Sequence, residues 1–188
     1  ANRCIELCRE GGYSAACNAL TKDPRLGPTV GVRRQLEQKH PPCSPPDLRT
    51  LQGLRAPPPA FEGDTVDKAV RSFHRLSGAG PSGLKPTHLR QAFVAAHRDE
   101  VLHHTTALVQ LLAQGRAPRS IAPFLAGASL NALPKKDGNI RPIAVGETWR
   151  RLVAKCLCKE TQSRALDHLF PLQLGVALPL GTESGIKT

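Results

Sequence analysis

LPKKDGNIRPIAVGETWRRLVAK, residues 133–155, is the stretch on which the fold turns. Leu133, Pro134, Lys135 and Lys136 run into Asp137-Gly138, a dipeptide common in tight hairpin turns. Ile140 to Val145 reads as a short apolar strand carrying Arg141 near its start, and Gly146 breaks it. From Glu147 the spacing becomes helical: Trp149, Leu152, Val153, Cys156 and Leu157 share one face. Between 133 and 159 there are seven Lys and Arg against two acids. Hairpin, turn and helix therefore make a cationic surface suited to phosphate.

Outward from this stretch the chain is mostly helical. Asn2 to Glu10 and Ala15 to Thr21 read as a helical hairpin, with Gly11-Gly12 between them and Ser14 as the second N-cap. Thr29 caps a helix from Val30 to Lys39. Seven prolines between His40 and Ala60 exclude regular helix or strand, so this span reads as a linker.

Asp64 reads as the N-cap of a helix with Val66, Ala69, Val70 and Phe73 on its apolar face. SGAGPSGL, residues 77–84, leads into a helix from Pro86 to His97. On composition the loop is either a phosphate cradle or a tight connection between helices. It lacks the Gly-x4-Gly-Lys pattern of a P-loop. Glu100 to Gly115 has Leu102, Thr106, Val109, Leu112 and Ala113 on one face, with His103 and His104 at its surface. Pro118 and Pro123 bracket a short helical turn, and Gly127 to Leu133 reads as the strand entering the hairpin. One long helix is expected from Glu147 to Leu169, then a turn or short strand at 173–176 and a further helix start at Thr182-Glu183. The predicted class is α+β: a small antiparallel hairpin packed on helices. A two-stranded ribbon is marginal alone, and its open edge is expected to be sticky.

The totals agree with a polyanion partner. In 188 residues, Lys and Arg number 26 and Asp and Glu 15, a formal charge of +11. The plain alternative is a basic surface with no dedicated partner. No apolar run approaches the ~20 residues of a membrane span. The six cysteines are not spaced as a disulfide framework. Cys4, Cys8, Cys17, Cys43 and His40 lack the paired spacing of a zinc site, so no metal is assigned. Residue 1 is Ala and the chain holds no Met, so both ends read as cut and the chain as a piece of a longer protein.

Four ordered blocks resemble the N-terminal part of a reverse transcriptase of the non-LTR retrotransposon kind. SGAGPSGLKPTHLR (77–90) is similar to that family's Gly-Pro-x-Gly loop and following helix. LNALPKKDGNIRPIAV (130–145) is similar to its fingers hairpin, and WRRLVAKCL (149–157) to the helix behind it. PLQLGV (171–176), with Gly181 and Glu183, is similar to the segment before the palm. The likeness divides the chain into a leading helical region at 1–40, a proline-rich linker at 41–60 and a fingers portion at 61–188.

The resemblance implies an RNA-directed DNA polymerase, a nucleotidyltransferase acting on an RNA template, a DNA primer and deoxynucleoside triphosphates. It implies triphosphate contacts for Arg141 and Lys135, with Lys136 a solvated turn residue. The chemistry is apt, since a guanidinium offers phosphate a rigid fork of donors. Gly80 and Gly83 would let backbone approach the template or the fingers. For Arg150, Arg151 and Lys155, a template contact and a solvated helix face stand as alternatives. Gln173 and Gly175 match a segment bordering the nucleotide site. The resemblance places the protein inside the cell, in the nucleus rather than the cytoplasm, with no membrane partner.

Some positions depart from the family. Its loop often has an acid where Ser82 stands, and the last block is irregular at Leu178 to Leu180 and at Ile186-Lys187. Nucleotidyl transfer needs two metal ions held by clustered carboxylates. No Asp-Asp pair occurs here, and no acid is expected to end an apolar strand. The fragment alone is therefore expected to be inactive and to bind no cofactor, with no catalytic residue of its own. Mg2+ is expected only for the complete enzyme with its palm domain. The alternative is a non-catalytic, basic nucleic-acid-binding remnant of such an element.

Overall fold

The computed structural model describes residues 2–21, 26–40, 42, 44, 59–94 and 96–178. Most of the linker at 41–60, Cys43, and the expected helix start at Thr182-Glu183 lie outside the described residues. The described chain is α+β. Its helices are α1 (Asn2–Arg9), α2 (Tyr13–Thr21), α3 (Val30–Lys39), α4 (Gly63–Arg71), α5 (Pro86–Ala92), α6 (Arg98–Ala113), α7 (Ala122–Ala126), α8 (Thr148–Glu160) and α9 (Gln162–Leu169). The strands β1 (Ala128–Pro134) and β2 (Ile140–Gly146) form one antiparallel hairpin between α7 and α8.

The core lies where α4, α6 and α8 meet, with α5 beside α4. Val66 and Val70 of α4, Val109 of α6, and Leu152 and Cys156 of α8 are wholly buried. Phe61, Phe73, Leu89 and Phe93 close it. Each large apolar side chain contributes about 1.5–3 kcal/mol by leaving water. The α4 face is the one the spacing predicts. On α6 the buried threonine is Thr105 rather than Thr106, whose hydroxyl donates instead to the Leu102 carbonyl at 2.8 Å.

Several boundaries shift for local reasons. α2 begins at Tyr13 because the Gly12 carbonyl accepts from Ala16 N–H at 2.8 Å, which leaves Ser14 inside the helix. α4 begins at Gly63 with Glu62 as N-cap, and Asp64 in its first turn pairs with Lys68 at 2.6 Å. α5 ends at Ala92 rather than His97. Asp99 and Glu100 instead occupy the first turn of α6, where the helix dipole favours acids. The expected long helix divides at Thr161, whose hydroxyl donates to the Leu157 carbonyl at 2.9 Å. Such back-bonding bends helices, and the chain restarts as α9.

Arg90 of α5 finishes α4. Its Nε donates to Val70 O at 3.3 Å, and its Nη2 donates to Arg71 O and Phe73 O. A cation at a helix C-terminus satisfies carbonyls that have no partner within the helix.

In the hairpin, Leu133 faces Arg141, Asn131 faces Ile143 and Pro134 faces Ile140. The turn is longer than the expected dipeptide. Lys135 N–H donates to Asn139 O at 2.8 Å, and Gly138 N–H donates to Lys135 O at 3.2 Å. Gly138 takes the left-handed conformation, φ 77°. This is a three-residue turn followed by a bulge, a geometry in which glycine is favoured. By alternation from the Lys135–Asn139 bond, Pro134 and Pro142 fall where a backbone N–H would point away from the partner strand. Neither proline removes a ladder bond.

The leading helices touch this body. α3 lies beside β2, Leu26 N–H donates to Ala132 O at 3.2 Å, and Gly12 sits against Leu76. Thr29 Oγ1 accepts from Val32 N–H at 3.3 Å, the cap its sequence position predicts.

Candidate nucleotide and nucleic-acid interface

Opposed residues of a hairpin share a face. Ala132 and Ile140 point to one side, at 4% and 2% exposure. Leu133, Arg141 and, two residues beyond Leu133, Lys135 belong to the other side, and both cations are exposed. Near the tip, Leu133, Pro134, Lys135, Lys136, Asp137 and Arg141 line an open recess of about 560 Å³. Among the described residues Arg141 forms no ion pair and no hydrogen bond through its side chain.

Asp137 is turned to the loop. It accepts from Asn139 N–H at 3.1 Å and from Asn139 Nδ2 at 3.2 Å. Those bonds, helped by nearby Lys135, hold its carboxyl below the ordinary value. The tip thus presents Lys135, Lys136 and Arg141 with its single acid already engaged.

The other end of the hairpin is closed. Gly80 is buried against the end of β2. A Cβ there would lie 2.5 Å from Glu147 Cα and 2.8 Å from Gly146 O, so only glycine lets the 77–84 loop seat on the strand. Gly80 thus approaches the base of the β1–β2 hairpin. Gly83 has φ 80° with open space around it.

Glu147 follows β2 directly and is 4% exposed. Its Oε1 accepts from Ser82 Oγ at 2.7 Å and from Thr148 N–H at 2.9 Å; its Oε2 accepts from Ser82 N–H at 3.1 Å. Burial pushes its carboxyl pKa up. The bonds from Ser82 and Thr148, with the charge of Arg151, outweigh burial and leave it below the ordinary value. As the sequence predicts, neither described strand ends in an acid; Glu147 comes directly after β2, which ends at Gly146. Three donors occupy its oxygens, and it serves as the N-cap of α8. Thr148 Oγ1 also donates to Leu84 O at 2.5 Å.

Three of the four α8 cations, Arg150, Arg151 and Lys155, have hydrogen-bond partners within the chain. Arg150 Nη1 donates to Ala126 O at 3.0 Å, and its guanidinium lies over Gly146, where a Cβ would collide with it. Arg151 Nη2 donates to Gly78 O at 2.6 Å and to Thr148 Oγ1 at 3.0 Å, with the Phe73 ring 5.6 Å away. Lys155 Nζ donates to Ser72 Oγ at 3.1 Å and stands 4.9 Å from the Phe73 ring centre. Solvated face and template contact were the alternatives for these residues. The geometry adds a third role, tying α8 to α4, α7 and the glycine-rich loop.

Gln173 Oε1 accepts from Gly175 N–H at 2.9 Å, so these two residues form a local turn. His103 and His104 are exposed, their rings edge to face. Among the described residues, no group of three His, Cys, Asp or Glu side chains could hold a metal ion, and no helix is long and apolar enough to cross a membrane.

Sequence reasoning missed the Ser82–Glu147 clamp. Its only sequence signals are a carboxylate directly after an apolar strand and a hydroxyl inside a glycine-rich loop. Searches for similar proteins found no match to any family model, any curated protein or any solved structure.

Proposed function

We propose that this chain is the fingers portion of an RNA-directed DNA polymerase of the non-LTR retrotransposon kind, its β1–β2 ribbon being the fingers hairpin. The observation that carries the reading is Arg141. It is an exposed guanidinium on a strand, with no acid paired to it among the described residues, beside Lys135 at the mouth of an open recess. A strand holds a side chain more firmly than a loop, and a fork of donors matches triphosphate oxygens. The base of the ribbon is held by Gly80, Ser82, Glu147 and Arg151, so the cations stand on a fixed support.

In this reading Arg141 and Lys135 bind and orient the triphosphate of the incoming nucleotide, while the open side of the ribbon faces the template. Metal-assisted transfer of the nucleotidyl group belongs to carboxylates of a palm domain. Glu147, directly after β2, is not offered as one of them, since Ser82 and Thr148 occupy its oxygens.

The test is Arg141→Ala in the chain joined to its palm. A charge-assisted bond is worth about 1.5–3 kcal/mol, so the apparent KM for nucleotide should rise by roughly 10- to 100-fold. Template affinity should stay within about twofold. Equal loss of both would move Arg141 to template binding and remove the main support for the reading.

A further inference from the structure

A second recess lies away from the ribbon. α4, α8, α9 and the turn at Val176–Ala177 enclose a groove of about 660 Å³, and it shares no lining residue with the recess at the hairpin tip. Lys68, Lys155 and Lys159 line it together with Ala154 and Ala165, and no acid lines it. Asp64 pairs with Lys68 at 2.6 Å. Lys155 has only the neutral Ser72 hydroxyl and the Phe73 ring as partners, and Lys159 forms no ion pair among the described residues. Asp64 also lies within electrostatic reach of Lys159, so the three lysines share one carboxylate, and the two that stand one helical turn apart on α8 leave the groove net positive. That separation, about 5–6 Å between Cβ atoms, is on the scale of neighbouring backbone phosphates.

We propose that the α4–α8–α9 groove is a sequence-independent binding track for the sugar–phosphate backbone of a single nucleic-acid strand. The competing occupant would be an acidic protein segment. Such a segment draws its affinity from large side chains seated in pockets, whereas this lining is mostly alanine, lysine and small polar residues with no aromatic ring. Backbone binding needs only phosphate contacts. The absent ring also means no base stacking, so little preference among bases is expected. The inference rests on the groove's own charge and shape. It holds whether or not the ribbon serves a polymerase.

The test uses the whole chain and a labelled oligothymidylate of about 15 nucleotides, titrated at several salt concentrations. Replacing Lys155 and Lys159 together by Gln should weaken binding several-fold and reduce the salt slope by about 1.4, or about 0.7 for each lost phosphate contact. Because Lys155 also packs on Phe73, Lys159→Gln alone is the second variant, with an expected reduction of about 0.7. Cys158 lies in the groove and is exposed, so the oligonucleotide should slow its alkylation by N-ethylmaleimide while Cys17 on α2 reacts as before.

Unchanged slopes in both variants would overturn the proposal. So would a Cys158 that reacts equally fast with oligonucleotide present, or one shielded by polyglutamate and not by oligothymidylate. If the groove variants lose oligonucleotide while Arg141→Ala leaves the nucleotide requirement untouched, the track stands and the polymerase reading falls.

Discussion

The two ends of the β1–β2 ribbon carry cations in similar number and use them differently. At the tip, Lys135, Lys136 and Arg141 stand at an open recess whose one acid is taken up by its own turn. At the base, Arg150 and Arg151 reach backbone carbonyls of Ala126 and Gly78. What separates them is the supply of nearby acceptors. Loop and helix-end carbonyls surround the start of α8, and nothing comparable surrounds the tip. A run of positive charge in a sequence therefore says little about which members are available to a ligand.

This contrast can be broken from the base first. Glu147→Ala removes the acceptor for Ser82 N–H, Ser82 Oγ and Thr148 N–H. Leaving such donors unsatisfied, and losing the cap, should cost about 2–4 kcal/mol in urea unfolding. The same residue sets a pH dependence. Its carboxyl is held below the ordinary value in the fold, so its contribution is present above about 4.3. It is lost as pH falls through the lower folded value. Glu147→Gln should flatten that part of the stability–pH curve; an unchanged curve would mean the clamp contributes nothing.

Next in size is Gly80→Ala. Its methyl group would meet the Glu147 backbone, and separating loop from strand should cost about 1–3 kcal/mol, read in the same unfolding experiment. The smallest effect is expected at the tip. Arg141→Ala and Lys135→Ala should each change stability by less than about 0.5 kcal/mol, as for other exposed sites without a partner. A large loss there would show that the tip cations, like Arg150 and Arg151, are structural.

The helical framework was legible where periodicity and caps coincide. Thr29, the α4 face of Val66, Ala69, Val70 and Phe73, and the α8 face of Leu152, Val153 and Cys156 all stand as their spacing indicates. The strands were legible from apolar runs bounded by glycine. The break at Thr161 was not, because it depends on a hydroxyl choosing a carbonyl within its own helix. Nor was the early end of α5, which depends on where acids settle relative to the next helix dipole.

Of the candidate site, the open character of Arg141 could be anticipated from its place on a strand. The engagement of Arg150, Arg151 and Lys155 could not, since Ala126, Gly78 and Ser72 are remote in sequence and offer ordinary backbone or hydroxyl oxygens. Glu147 and Ser82 are 65 residues apart, and each alone looks unremarkable. An acid at the Ser82 position would here face a second carboxylate, so the two positions make sense only as a pair.

Pro134 and Pro142 have a further consequence for copies of this chain meeting in solution. A ribbon of two strands offers both outer margins to any passing extended segment. Here the outer margin of β2 is interrupted at mid-length by Pro142. That of β1 ends in Pro134 and has its Ala132 carbonyl already claimed by Leu26. Neither margin can continue a regular ladder into a neighbouring molecule, so the ribbon is guarded against growing into an intermolecular sheet.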